Sequence, residues 1–572
     1  MAPVPADDAA RSTPPGLPVG TLDDGAVATV GPGGVVRLDG ADWVLEWWVG
    51  AEDRWHDPTA DAAVRQTLVD DSPVVATAMR VPGGDVVHRA FAARAQAAGW
   101  SGTAVVVEVE NLTAVPVALA LVVRPVDGDG TGLRSVAVDG PAMVVDGRPA
   151  VLLSRPAARA VAGDVAGLAG RLADGDDAPP PVEVVGGAAP VGAAAVVPLA
   201  HTAVARVLVP VPTPGPRRRR DPVAGLVGPW TAPDAAAVGA GWATHTAGMA
   251  RLELPEPAAA GFLVRAERQL LLTSTAAAAG LLDRRSARPD APHGAVDLLD
   301  LVDALLRCGL EDPLGPVAAA LASSQRLRGA VPVGDGSDAT VALVVAAAGV
   351  LGGPRAERWL DELVGPLAKA VDRLSRGRGA DGVDPARTAA ALAAAAAALR
   401  HVEQPDVAVL ADEVATSLAP GWTGPTTGRV LGALDAAAPA TAAMGAVDRA
   451  RGVVDVLDGL VAWTPDGLRL CDGWAVSWAG QDVEVYDVRT PWGAAGFALR
   501  WHETRPALLW EVVPGPGADP ERPPTVTVDR IDPAWSGTGW DGEALLAAPK
   551  GAATAVPPAG NGDVPGEGES FS

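Results

Sequence analysis

Along the first half of the chain, apolar positions come in short Val-rich runs, several of which alternate with polar positions at a period of two. In TAVVVEVEN (103–111), Glu108 and Glu110 fall on one face. AVATV, GVVRL, PVVATAMRV, VPVALALVVRP, AVVPL and ARVLVPV have the same character, each bounded by Gly, Pro or Asp. Successive side chains of a strand point to opposite faces, so these runs predict antiparallel strands and, over 25–255, a β-sandwich. Within that span, 157–181 (ending GDDAPPP) reads as an excursion or mobile loop, and 213–245 as a second long connection. Residues 1–24 are Pro/Asp-rich and expected to be disordered.

At about 256 the period changes. PEPAAAGFLVRAERQLLLTSTAAAAGLL (255–282) is helical in pattern, with Pro257 suited to a first turn. Four loops follow, RPDAPHGAVD (288–297), VPVGDGSDAT (331–340), RGADGVDPART (378–388) and APGWTGPTTGR (419–429), and each leads into an apolar helix. The helices begin near 295, 338, 386 and 426, a recurrence of roughly 40–48 residues that predicts repeated α-hairpins over 256–464. A further unit is expected at 444–463. Strand patterns return at 465–548 in GLRLCDGWAVSWAG, DVEVYDV, GFALRW and ALLWEVV, a small second β module. The segment 549–572 is disordered by composition.

Tryptophan sharpens this picture. Of 17 Trp, four (Trp43, Trp47, Trp48, Trp55) crowd one segment near the start and five (Trp474, Trp478, Trp492, Trp501, Trp510) another near the end. The adjacent Trp47 and Trp48 would point to opposite faces of a strand, so at most one is expected in a core; the other meets a neighbouring domain or a ligand.

Charge and cysteine remove several function classes. With 45 basic and 69 acidic residues, a formal charge of −24 disfavours nucleic acid and anionic membranes as partners. The one basic run, Arg217–Arg220, reads as a solvated loop. Cys308 and Cys471 stand far apart with no CxxC spacing, which leaves neither a disulfide framework nor a Cys-based zinc site. The seven His are scattered, with no HExxH, so no metal or other cofactor is expected. P-loop, GxGxxG and GxSxG patterns are absent. MAPVPADDAARSTPPGLPVG has no apolar core of a signal peptide, and 389–399 is too short to span a bilayer, so a cytoplasmic location is expected. Oligomeric state is not fixed by these patterns.

WWVGAEDRWHDP (47–58), the hairpin loops and LRWHETRPALLWEV (499–512) resemble the six-hairpin glycosidase-like superfamily, which includes glucoamylases, trehalases and glycogen-debranching enzymes. The resemblance implies an (α/α) toroid, complete or incomplete, between the two β regions. It also implies loops at one end carrying two carboxylates and several aromatics around a sugar, and an α-glucan or oligosaccharide as ligand. Glycoside hydrolysis by that design needs one carboxyl group as acid and another as base or nucleophile.

Asp290, Asp335, Asp338, Asp381 and Asp384 lie in the loops, and Asp335 and Asp338 in GDGSDAT are the catalytic candidates. Helix capping is the competing role for Ser337, Asp338 and Asp384. Trp422 is the candidate stacking platform; Asp53, Trp55, His56 and His293 complete the substrate-binding set. For AEDRWH the competing role is a Trp packed under a strand end with Arg54 paired to an acid. Trp501-His502-Glu503 reads as structural, near a hairpin turn at Thr504–Pro506. Only nine or ten helices fit 256–463 where twelve are implied, and no Glu stands in the four loops. Those departures keep a second reading open: a catalytically inactive relative that binds carbohydrate or serves as a scaffold.

Overall fold

The computed structural model describes residues 16–97, 99–126, 133–187, 189–212, 229–282, 294–418, 446–464, 466–502, 505–515 and 518–549. The chain forms two compact units: residues 1–248 with 264–281 and 439–450, and residues 249–263 with 282–438 and 451–572.

The first unit is built on two antiparallel sheets. One runs Leu17–Thr21, Gly25–Val30, Val36–Leu38, Trp43–Gly50, Val117–Pro125, Val191–Leu199 and Arg159–Asp164, with Trp55–His56 paired to Trp43–Gly50. The other runs Val182–Val185, Ser135–Asp139, Ala142–Val145, Arg148–Leu153, Val204–Pro210, Trp100–Asn111, Gly84–Ala97, Val75–Val81 and Val64–Leu68. Inward residues of both sheets, among them Leu119, Leu121, Val105 and Val107, share one buried core, so the alternation read from the sequence does build a β-sandwich.

Several details differ from expectation. The strand Leu17–Thr21 falls inside 1–24, the stretch expected to be disordered, because Val19 is buried and the strand pairs with Gly25–Val30. The excursion at 157–181 is the strand Arg159–Asp164 followed by the helix Val165–Ala173. Asp164 starts this helix by accepting a hydrogen bond from Ala166 N, and Leu168 and Leu172, four apart, form its buried stripe. Trp47 and Trp48 point to opposite faces as expected, and both are buried, 1% and 9% exposed, the second under a helix rather than a neighbouring domain or a ligand. Trp47 lies in the core between the sheets, where it stacks on His88 and donates from Nε1 to Gly33 O. Trp48 points the other way and is covered by Leu168 and Leu172.

In the second unit, helices run as Ala295–Arg307, Glu311–Ser324, Thr340–Leu351, Leu360–Ser375, Pro385–His401 and Pro405–Leu418, with residues 451–460 of the helix Ala446–Leu460 further along. The alternate helices Ala295–Arg307, Thr340–Leu351 and Pro385–His401 start 45 residues apart and pack side by side, and the helices that follow each of them form a second row. This is the hairpin repeat expected from the loops, and it gives the central region a toroid-like layering. The helix expected near 426 lies outside the described residues. Among the described residues, no helix is long and apolar enough to cross a membrane.

The C-terminal β module is larger than expected at its edges. Its five-stranded sheet, Arg251–Glu253, Val483–Thr490, Gly493–His502, Arg505–Pro514 and Asp541–Leu545, takes its first strand from the stretch assigned to the sandwich. Its four-stranded sheet begins at Val461–Thr464, within the stretch expected to be helical. Pro506, expected in a turn, is on a strand opposite Trp501.

Candidate functional site

The hairpin loops bring the predicted aspartates together at the N-terminal ends of the first-row helices. Asp335 Oδ1 accepts from Ser337 N at 2.8 Å and Ser337 Oγ at 2.6 Å. Ser337 Oγ in turn accepts from Ala295 N at 2.9 Å, so it satisfies a free amide of a helix more than forty residues upstream. Asp338 is 7% exposed. Its Oδ1 accepts from Val331 N (2.9 Å), Thr340 N (3.2 Å) and Thr340 Oγ1 (2.7 Å), and Arg373 approaches Oδ2 at 2.6 Å. Asp381 Oδ2 accepts from Asp338 N at 3.1 Å, and Asp384 caps its own helix through Ala386 N at 2.7 Å. Asp338, through Arg373, and Asp381, through Asp338 N, thus tie separate segments together, while Asp335 and Asp384 brace their own turns. Asp290, His293 and Trp422 lie outside the described residues.

Below this end, one face of Ala295–Arg307 carries Asp297, Asp300 and Asp303 at successive turns. Arg387 contacts Asp300 at 3.0 Å and Asp303 at 2.8 Å; Arg451 contacts Asp297 at 2.9 Å and Asp300 at 3.1 Å. Arg387 therefore bridges the two helices that flank Thr340–Leu351 and fills the valley between them with ion pairs. Burial works against the Arg387 charge, but Asp303 and Asp300 outweigh it and hold the guanidinium protonated above its usual range.

The AEDRWH segment forms a separate cluster in the sandwich. His56 is buried with Asp53 Oδ1 2.9 Å from Nε2 and Asp61 Oδ2 3.0 Å from Nδ1. The His56 hydrogen bond is the main cause holding the carboxyls of Asp53 and Asp61 below the usual range. Arg54 pairs with Asp61 at 2.9 Å, and Trp55 Nε1 donates to Leu172 O at 3.1 Å. Trp55 is thereby anchored beside the Trp48 cluster. The sequence offered no sign of Asp61 as the second partner, since nothing in AEDRWH points five residues on.

A further concavity was not foreseen. It is an open trough of about 760 Å³ on the five-stranded sheet. Ala494, Gly496 and Ala498, on the central strand and on one face by alternation, make a low floor. Taller side chains of the neighbouring strands, Tyr486 on one side and Leu509, Glu511 and Val513 on the other, make its walls. Asp487, Asp541 and Glu543 add carboxylates at the rim. The signal was present in AAGFA, small residues at every second position of a strand. Among the described residues, no three or more His, Cys, Asp or Glu gather in a way that could hold a metal ion.

No family model and no curated protein matches the chain. Among solved structures it is similar to a bacterial glucoamylase complexed with acarbose, at 13% identity and a TM-score of 0.42, over 72% of this chain and 68% of that one. It is also similar to a family GH92 inverting mannosidase from Bacteroides thetaiotaomicron, at 9% identity and a TM-score of 0.29, over 66% of this chain and 55% of that one. A third is an α-L-rhamnosidase from Streptomyces avermitilis complexed with L-rhamnose, at 10% identity and a TM-score of 0.28, over 71% of this chain and 48% of that one. The chain spans about half the length of the last two. All three are glycosidases. Likeness of this degree does not transmit residue roles.

Proposed function

We propose that the chain is a glycosidase-like protein that binds an oligosaccharide and does not hydrolyse it at the 331–340 loop. The observation that carries this reading is the state of Asp338. A hydrolytic carboxyl group must face the substrate and exchange a proton or form a bond. Asp338 faces inward, with Arg373 on one oxygen and three donors on the other. The ion pairs of Asp297, Asp300 and Asp303 leave that face of Ala295–Arg307 equally engaged. The exposed Asp335 and Asp381, held rigid by loop amides, remain suited to accept hydrogen bonds from sugar hydroxyls. The ligand class rests on the resemblance of the Trp-rich segments and hairpin loops.

Intrinsic Trp fluorescence titrated with a panel of α- and β-linked oligosaccharides, with released sugar assayed in the same samples, tests both halves. The expected result is saturable binding without release, weakened about tenfold by Asp335→Asn with Asp381→Asn. Release that Asp335→Asn abolishes would establish a hydrolase. No response to any sugar would remove the carbohydrate reading and leave the fold.

A further inference from the structure

The second unit carries two exposed features of opposite shape and charge. The first is the turn after the helix Glu311–Ser324. Arg326 N donates to Ala330 O at 2.8 Å, and Gly329 N donates to Arg326 O at 2.9 Å. Leu327, 97% exposed, stands at its tip between Arg326 and Arg328. The turn is stiff for two reasons. Gly329 has φ +84° and a Cβ there would meet Lys369 O at 2.8 Å, while Arg373 Nη1 donates to Arg328 O at 3.4 Å. Neither Arg326 nor Arg328 has a carboxylate partner among the described residues. A single exposed Leu is ordinary on a protein surface. One held on a rigid turn between two unpaired guanidiniums, in a chain of net charge −24, is a preformed cationic knob.

The second is the trough. Leu509, Val513 and Leu545 leave about half of their surface in water on that sheet. Asp487, Glu511, Asp541 and Glu543 have no Arg, Lys or His partner among the described residues. In register, Glu511 stands opposite Asp541 and Leu509 opposite Glu543, so the acids line the same wall as the aliphatic groups. Like charges opposite one another on a sheet are unfavourable unless something neutralises them. The trough thus offers what the knob lacks: an apolar floor and carboxylates spaced around it.

We propose that the Arg326-Leu327-Arg328 turn of one copy docks in the acid-rimmed trough of a second copy. Leu327 lies on the floor of Ala494, Gly496 and Ala498, and the two guanidiniums meet the rim carboxylates. Because knob and trough are different surfaces, the contact is heterologous and repeats from copy to copy; it ends only if the rotation closes a ring. The proposal is independent of the oligosaccharide reading.

Sedimentation velocity over a concentration series on the full chain tests it. The wild-type weight-average mass should rise with concentration, and Leu327→Asp should hold the chain monomeric. Arg326→Glu with Arg328→Glu, and separately Glu511→Arg with Glu543→Arg, should each give monomers. An equimolar mixture of those two charge-reversed chains should associate again, since each knob then finds a trough of opposite sign. That restoration also shows that both variants are folded. A wild-type chain that stays monomeric at several hundred micromolar overturns the proposal. So does association that Leu327→Asp leaves unchanged, or a monomer whose trough takes an oligosaccharide with its Leu509 and Val513 amide or methyl resonances shifting.

Discussion

Asp338 accepts three hydrogen bonds through one carboxylate oxygen and an arginine through the other, inside a loop where its neighbour Asp335 is exposed and, among the described residues, bonded only to Ser337. Removing the buried member strands a guanidinium and two backbone amides, a loss of about 3–5 kcal/mol. Removing the exposed one is expected to cost under about 1 kcal/mol. Urea unfolding of Asp338→Ala and Asp335→Ala should therefore give clearly separated midpoints with a common slope; coincident midpoints would contradict the role as a joint. The capping chemistry of this loop is legible in GSDAT and VDPA, and Asp384 does cap the helix that follows it. What the local pattern hides is direction. Ser337 serves Ala295, far upstream, because the loops meet only after the helices have packed. A capping residue read along the chain is assigned to the next helix by default, and here that default fails.

Elements whose burial follows a simple period are the ones legible beforehand. The sandwich strands alternate, and the first-row helices begin at 295, 340 and 385, within a few residues of the positions the loops imply. The helix Val165–Ala173 is different. Two glycines lie within its nine residues, and its only apolar anchors are Val165, Leu168 and Leu172, so its local preference is weak and its existence depends on what it covers. It covers Trp48, whose strand lies more than a hundred residues earlier. That is why the helix in the excursion and the cover over Trp48 are both hidden in the local pattern: each is the reason for the other. Leu168 is fully buried in this contact, so Leu168→Ala should cost about 2–5 kcal/mol by leaving a cavity over the indole. Thermal unfolding monitored by near-ultraviolet circular dichroism would show it as a lowered midpoint with loss of the Trp48 signal. An unchanged midpoint would mean that the helix is not what buries the ring. The trough is the converse case. Alternating small residues in AAGFA mark a strand that something approaches closely, but nothing in the segment says whether the approaching group belongs to the same molecule.

At the scale of the whole molecule, stability should depend on pH through groups that fold into environments favouring one charge state. His88 is enclosed between the two sheets of the sandwich, stacked on Trp47 with ring centroids 5.2 Å apart. Burial pushes its pKa down to about 3 from an ordinary value of 6.5. The folded protein therefore keeps the ring neutral over that interval while the unfolded chain takes up a proton. Proton uptake by the unfolded state favours unfolding as pH falls, so the contribution is intact above about 6.5 and is lost progressively down to about 3. The full span corresponds to roughly 5 kcal/mol. Asp53 and Asp61 act in a lower window: their carboxyls are held down chiefly by the His56 hydrogen bond, so their contribution is present above the ordinary carboxylate range and disappears as pH falls through it. The two windows can be separated with His88→Phe, which retains an aromatic ring against Trp47 and cannot be charged. Between pH 7 and 5 the wild type should lose stability in urea titrations, at a slope steeper than the variant's by up to about 1.4 kcal/mol per pH unit. Only below about pH 3, where the folded ring also takes up a proton, should the two slopes converge, because the carboxylates are common to both. Parallel curves from pH 7 to 5 would show that His88 is charged as readily in the folded protein as in the unfolded chain, and that the sandwich core admits water beside Trp47.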